Sequence, residues 1–124
     1  MDLSATLKED RLRIIQEYVP GCQIPIAHII ASPDKILYKK LGLDPKIDYQ
    51  KAAIGVTTVT PSETAIIMAD VALKASGITL GFVDRFSGSL IFTGTVSEVQ
   101  ASMEAIIEYC KDKLGYMVCP ITKT

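Results

Sequence analysis

Arg13-Ile14-Ile15-Gln16-Glu17-Tyr18-Val19-Pro20-Gly21 has the composition of a β-strand: β-branched and aromatic residues mixed with polar ones, stopped by Pro-Gly. Ahead of it, Met1 to Asp10 is polar and charged, with no apolar stripe long enough to hold a helix. Residues 1–12 therefore read as a flexible tail. Behind the strand, residues 23–124 carry a complete pattern of strands and helices that can fold without it. A strand outside a sheet is unstable in water, because its N–H and C=O groups lack partners. The partner of 13–21 is either an edge of the chain's own sheet or another copy of the chain.

The 124 residues make one domain with room for one ordinary core. Apolar residues are 48% and mean hydropathy is +0.29, high for a chain with so much surface per volume, which points to a covered subunit interface. Thirteen basic and 14 acidic residues, spread along the chain, leave a net charge of −1. Without a basic stripe the main driving force for nucleic-acid binding is missing. No apolar run reaches the roughly 18 residues of a membrane span, and the N-terminus lacks the layout of a signal peptide. Cys22, Cys110 and Cys119 are odd in number with no C-x-x-C pair, which suits a reducing cytoplasm and a packing role.

Gln23 to Ala31 is an extended apolar run, with Ile24, Ile26, Ile29 and Ile30 around His28. Ser32-Pro33-Asp34 then opens a short helix, with Ser32 as cap, Pro33 at its first position and Ile36, Leu37 and Leu41 facing inward. Gly42 stops it, and Leu43 to Lys51 is a connecting loop. Ala53 to Val59 is a strand covered on both faces. Thr60-Pro61-Ser62-Glu63 forms a capping box for a helix whose inward stripe is Ala65, Ile66, Ala69, Ala72, Leu73 and Ser76. Strands at Ile78–Val83 and Leu90–Thr95 flank the hairpin loop Asp84 to Ser89. A second capping box, Ser97-Glu98-Val99-Gln100, starts a long helix carrying Val99, Met103, Ile106, Ile107, Cys110 and Leu114 inward. Tyr116 to Ile121 closes the sheet, with Pro120 marking an edge or an exit. The fold class is α+β, a sheet with helices on one face.

Catalysis is poorly supported. His28, the single histidine, sits in an apolar strand as a hydrogen-bonded structural residue, with no Cys or carboxylate at metal-ligand spacing. Asp84, Arg85 and Ser87 share a loop without any nucleophile–base signature, and Asp84-Arg85 reads as a loop-ordering pair. Gly81, Gly88 and Gly94 make no phosphate-binding pattern. No cofactor or metal is implied.

Four segments together carry a resemblance: Ile15-Gln16-Glu17-Tyr18-Val19-Pro20-Gly21, Ala27-His28-Ile29-Ile30-Ala31, Thr60-Pro61-Ser62-Glu63-Thr64-Ala65 and Gly81-Phe82-Val83-Asp84-Arg85-Phe86-Ser87-Gly88. They resemble the circularly permuted shell proteins of bacterial microcompartments, the propanediol- and ethanolamine-utilisation type, from about Arg13 to Thr124. The resemblance implies one permuted BMC domain over residues 13–124, a ferredoxin-like sheet with helices. It implies a homohexamer that tiles with other shell proteins, in the cytoplasm, around enzymes of propanediol, ethanolamine or choline breakdown. The first strand and helix, Gln23 to Leu41, would be the permuted part. Six copies of the 13–21 strand, through Ile14, Ile15, Gln16, Glu17, Tyr18 and Val19, would form a six-stranded parallel barrel capping the central pore.

The same resemblance puts Phe86, Ser87 and Gly88 in the pore loop, where six-fold symmetry turns a hydroxyl or N–H into a ring of donors. It puts Lys74 at the hexamer edge. Both positions also have plain readings, a hairpin turn with Gly88 at positive φ and a last-turn lysine facing the helix dipole. Ser32 departs from the family, whose non-permuted relatives often carry arginine before this proline. A small ligand-sensing α+β domain is the alternative, and it would have no need of the 13–21 strand.

Overall fold

Ala53 to Thr60 is apolar or threonine on alternating sides, and a strand of that kind belongs at the centre of a sheet. The computed structural model describes residues 19–50 and 52–124; the expected tail at 1–12 and the strand residues 13–18 lie outside the described residues. The strands are β1 (Gln23–Ile30), β2 (Ala53–Thr60), β3 (Thr79–Asp84), β4 (Ser89–Gly94), β5 (Met117–Val118) and β6 (Thr122–Lys123). The helices are α1 (Lys35–Lys40), α2 (Thr64–Ala75) and α3 (Val96–Asp112). The strand order is β3-β4-β2-β1-β5, with β6 also on β1, so β2 is central as its composition requires. β1, β2, β4 and β3 pair antiparallel in turn, while β5 and β6 run parallel to β1. The single closing strand expected at 116–121 is thus two short pieces, split around Pro120, which has no N–H to give a neighbour.

α2 and α3 pack on one face of the sheet. Ile24, Ala27, Ile29, Leu90 and Phe92 meet Met68, Val99, Met103 and Ile106 there, all but excluded from solvent. Gly55 makes the close approach possible: a Cβ at that position would stand 2.7 Å from the Phe92 ring and 3.0 Å from Val99. Expecting every helix on this face is corrected by α1, which lies with the 43–52 loop on the opposite face. There Tyr38 and Leu43 cover Ile54. Tyr38 stacks on Tyr49 at 4.7 Å with planes 6° apart, and donates its hydroxyl to Ala52 O at 2.6 Å.

Helix starts differ from the expected ones for local reasons. Asp34, not Ser32, caps α1, its Oδ1 accepting from Ile36 N at 3.0 Å, so Pro33 stands outside the helix. That phase turns Tyr38 inward and leaves Ile36 and Leu41 exposed. No capping box forms at Thr60–Glu63. Thr60 is still paired in β2, and residues 61–63 make a tight turn in which Thr64, Ala65 and Ile66 bond back to Pro61, Ser62 and Glu63. The buried side of α2 is accordingly Thr64, Ala65, Met68, Ala69 and Ala72, while Ile66 and Leu73 face outward. The box of α3 sits two residues earlier than expected. Thr95 Oγ1 accepts from Glu98 N at 3.2 Å, and Glu98 Oε1 accepts from Thr95 N at 3.0 Å. Thr95→Ala should cost about 1 kcal/mol in urea denaturation. Ser97→Ala should cost far less, and the reverse order of effects would reinstate the later box.

The expected inner row of α3 holds: Val99, Met103, Ile106 and Cys110 are buried, with Ile107 and Leu114 packed alongside. Burial pushes the Cys110 thiol up to about 11, so it remains a neutral packing group. His28 is structural, as expected: Nδ1 lies 2.5 Å from Thr122 Oγ1 and Nε2 2.9 Å from Thr124 Oγ1, tying β6 to β1.

Candidate functional site

Asp84 ends β3 and organises the loop that follows. Its Oδ1 accepts from Phe86 N at 2.8 Å and its Oδ2 from the Ser87 hydroxyl at 2.9 Å, while its carbonyl accepts from Gly88 N at 2.9 Å. The backbone N–H of Phe86, then the Ser87 hydroxyl, hold the Asp84 carboxyl below the usual carboxylate range. The loop therefore stays ordered as pH falls through that range and loosens only below it, where the carboxyl at last takes up a proton. Gly88 closes the turn at φ +77, and its carbonyl accepts from Val59 N at 2.9 Å. Phe86, Ser87 and Gly88 share this turn, and hydrogen bonds within the loop decide what each presents. Asp84 takes these bonds from Phe86 and Ser87, not from Arg85, and the Ser87 proton and the Gly88 N–H are turned inward. What projects is Phe86, 80% exposed, with the Arg85 guanidinium 5.0 Å from its ring centroid. The adjacent Arg-Phe pair was the sequence signal for this, and the reading of Arg85 as the partner of Asp84 hid it.

Lys74 stands on the last turn of α2. Asp70 four residues earlier accepts from its Nζ at 2.6 Å, and this hydrogen bond, with the attraction behind it, raises the lysine's pKa. Lys74 and the loop lie at opposite ends of the sheet. Ser89, just past the loop, pairs with Thr58 near the end of β2, whereas Gly94 pairs with Ala53 at its start. α2 leaves the loop end after Thr60 and finishes at the other, where Ser76 Oγ donates to Glu98 O at 2.8 Å. The eight residues of β2 separate the two ends by about 26 Å. The end bearing Lys74 also carries an open groove of about 1270 Å³ between α1 and the 43–52 loop, lined in part by Ser32, Lys35, Tyr49 and Val96.

The barrel residues Ile14, Ile15, Gln16, Glu17 and Tyr18 lie outside the described residues. Val19 is described, at the loop end, where it donates to Gly115 O at 2.6 Å and accepts from Cys22 N at 3.1 Å. Among the described residues no three His, Cys, Asp or Glu side chains stand close enough to hold a metal ion, and no helix is long and apolar enough to cross a membrane.

The family model described as the BMC domain matches residues 53–122. This chain belongs to the BMC domain family and is a bacterial microcompartment shell protein, structural in role, not an enzyme. β1 and α1 precede the matched range, as circular permutation requires. The chain is 51% identical over 112 residues to the microcompartment shell protein CutR of Streptococcus intermedius, covering 90% of this chain and 92% of that one. It is 44% identical over 112 residues to PduU of Salmonella typhimurium, covering 90% and 93%, and 44% identical over 115 residues to EutS of Escherichia coli, covering 93% and 99%. Among solved structures, a CutR flat hexamer matches with a TM-score of 0.77 and 50% identity, over 90% of this chain and 99% of that one. A CutR screw of 41.9 Å pitch matches with a TM-score of 0.77 and 48% identity, over 85% and 100%. The ligand-sensing alternative draws no support from these relatives.

Proposed function

We propose that this chain forms a homohexameric shell tile in which the Asp84–Ser89 loops surround the six-fold axis and the Lys74 ends form the rim. The observation that carries this reading is the likeness to the CutR flat hexamer, which extends over 99% of that chain. The separation of loop and Lys74 by the full length of β2 supports it, since a radial tile needs its centre and its edge at opposite ends of each protomer. Around the axis, six Phe86 rings backed by six Arg85 guanidinium groups give a mouth that is apolar and positively charged. Residues Ile14 to Tyr18 cap it as a six-stranded barrel, each strand anchored through the Val19–Gly115 bond at the loop end. Residues 1–12 remain outside as a tail. The tile joins other shell proteins around enzymes of propanediol, ethanolamine or choline breakdown.

Native mass spectrometry tests the assembly. The expected species is about 81 kDa, six copies of the 13.5 kDa chain, and a monomer or dimer at micromolar concentration would reject it. Lys74→Ala should leave that hexamer intact and weaken its growth into sheets or tubes under the electron microscope. Freed from Asp70, the lysine can lie against its mate across a two-fold edge, and a small loss at each edge multiplies across a sheet. Arrays equal to those of the wild type would reduce Lys74 to a solvated partner of Asp70.

A further inference from the structure

The groove between α1 and the 43–52 loop, about 1270 Å³ in volume, is built from one protomer alone. Protein interiors pack densely, and a concavity of this size with braced walls is the usual form of a ligand site. It is somewhat larger than the roughly 300–1,000 Å³ of sites that enclose a ligand, as an open groove should be. Its aromatic wall is fixed by the protein itself. Tyr49 is stacked on Tyr38 with centroids 4.7 Å apart. Both hydroxyls donate to backbone carbonyls, Tyr38 to Ala52 O at 2.6 Å and Tyr49 to Asp44 O at 2.9 Å. What Tyr49 offers the groove is therefore ring surface, not a polar group.

The charge of the groove is uneven. Lys35 and Lys39 line it from α1, and residues four apart stand on one side of a helix, so both ammonium groups reach the same wall. Neither forms an ion pair among the described residues. The loop side contributes Asp48 and Gln50, positioned by the bond from Gln50 N to Asp48 Oδ1 at 2.9 Å. Two cations on one wall suit an anion with several charged oxygens, and phosphate is such a group. A flat ring beside Tyr49 gains stacking area there. Across the groove, the Asp48 carboxylate accepts from an amino or hydroxyl group.

We propose that this groove binds a phosphorylated compound with a flat ring that carries hydrogen-bond donors, of the size of a nucleoside diphosphate. The phosphates lie on Lys35 and Lys39, the ring beside Tyr49, and its donor groups toward Asp48. A lone phosphate would leave the aromatic wall unused, and an uncharged ring would leave both lysines in water. The site lies within one protomer, so it goes beyond the hexamer reading and does not depend on it.

Isothermal titration calorimetry of the full chain with ADP, pyrophosphate and adenosine tests the assignment. ADP should bind at least about tenfold more tightly than either of its parts, since only the whole molecule engages both walls at once. The double variant Lys35→Gln/Lys39→Gln should weaken ADP binding by about tenfold or more. Lys40→Gln/Lys46→Gln removes the same charge from positions outside the groove lining and should leave ADP binding unchanged. Tyr49→Phe, which retains the ring, should bind as the wild type does. Tyr49→Leu should hold ADP no better than pyrophosphate, with far-ultraviolet circular dichroism as the folding control. If that variant unfolds, the two lysine pairs decide the matter alone. No binding of ADP at millimolar concentration, pyrophosphate as tight as ADP, or equal losses from the two lysine pairs would overturn the assignment. Native mass spectrometry of the same samples reports separately on the hexamer, so failure of the one reading is distinct from failure of the other.

Discussion

Gly88→Ala should lower stability by about 3 kcal/mol, from two effects that add. At φ +77 an alanine carries about 1–2 kcal/mol of backbone strain. Its Cβ would also stand 2.2 Å from the carbonyl oxygen of Val59 and 3.1 Å from the Cα of Ser62, both backbone atoms that cannot swing aside. Relief requires parting the loop from β2, which sacrifices the Val59–Gly88 hydrogen bond, and overpacking of this kind costs about 1–3 kcal/mol. In a chain of this size the sum should appear as a fall in melting temperature of roughly 10 °C. Gly42→Ala is the internal comparison. It has φ +72 but nothing within 4 Å, so strain alone applies and the loss should be less than half as large. Equal losses for the two variants would mean that the contact with Val59 is unimportant.

Phe92→Ala should cost more still, about 4–5 kcal/mol in urea denaturation, at the upper end of the range for a buried aromatic. The ring is fully buried between β4 and α3 and lies over Gly55. Once it is gone, the adjoining residue has no side chain with which to fill the space, and the site collapses poorly. Phe92→Leu, which retains most of the volume, should cost about 1.5 kcal/mol or less. A loss under 1 kcal/mol for the alanine variant would show that the helices can settle onto the sheet, contrary to close packing.

β1 and β2 were legible because alternation in β2 and the apolar run in β1 leave no other period, and their observed bounds differ from those expected by only a residue, whereas the closing strand broke in two at Pro120. The helix starts were less so. Thr95–Glu98 and Ser97–Gln100 both satisfy the spacing of a capping box, and only the end of β4 at Gly94 selects the first. Thr60–Glu63 satisfies it too, but Thr60 is committed to β2. The inner side of α2 was misread at Ile66 and Leu73 for a more general reason. A stripe argument assumes that apolar means inward within one copy, and this helix is apolar on both sides. The same limit applied at the hairpin loop, where the residue types were recognised, while the Asp84 carboxylate that takes the Ser87 proton and the Asp84 carbonyl that takes the Gly88 N–H become evident only from distances.

The length of β2 has a consequence for the shell as a whole. In the proposed ring this strand is a ruler, because it sets how far the rim lies from the axis. Tiles of different sequence share a lattice only if their edges have the same length, so radius is a common standard among all the proteins of one shell. One residue inserted into β2 or β1 would lengthen the spoke by about 3.3 Å and also turn every later side chain to the opposite face. The 43–52 loop, which spans neither distance, is free to vary in length. Divergence between shell proteins should therefore accumulate over α1 and its loop, leaving the residue count of the strands fixed.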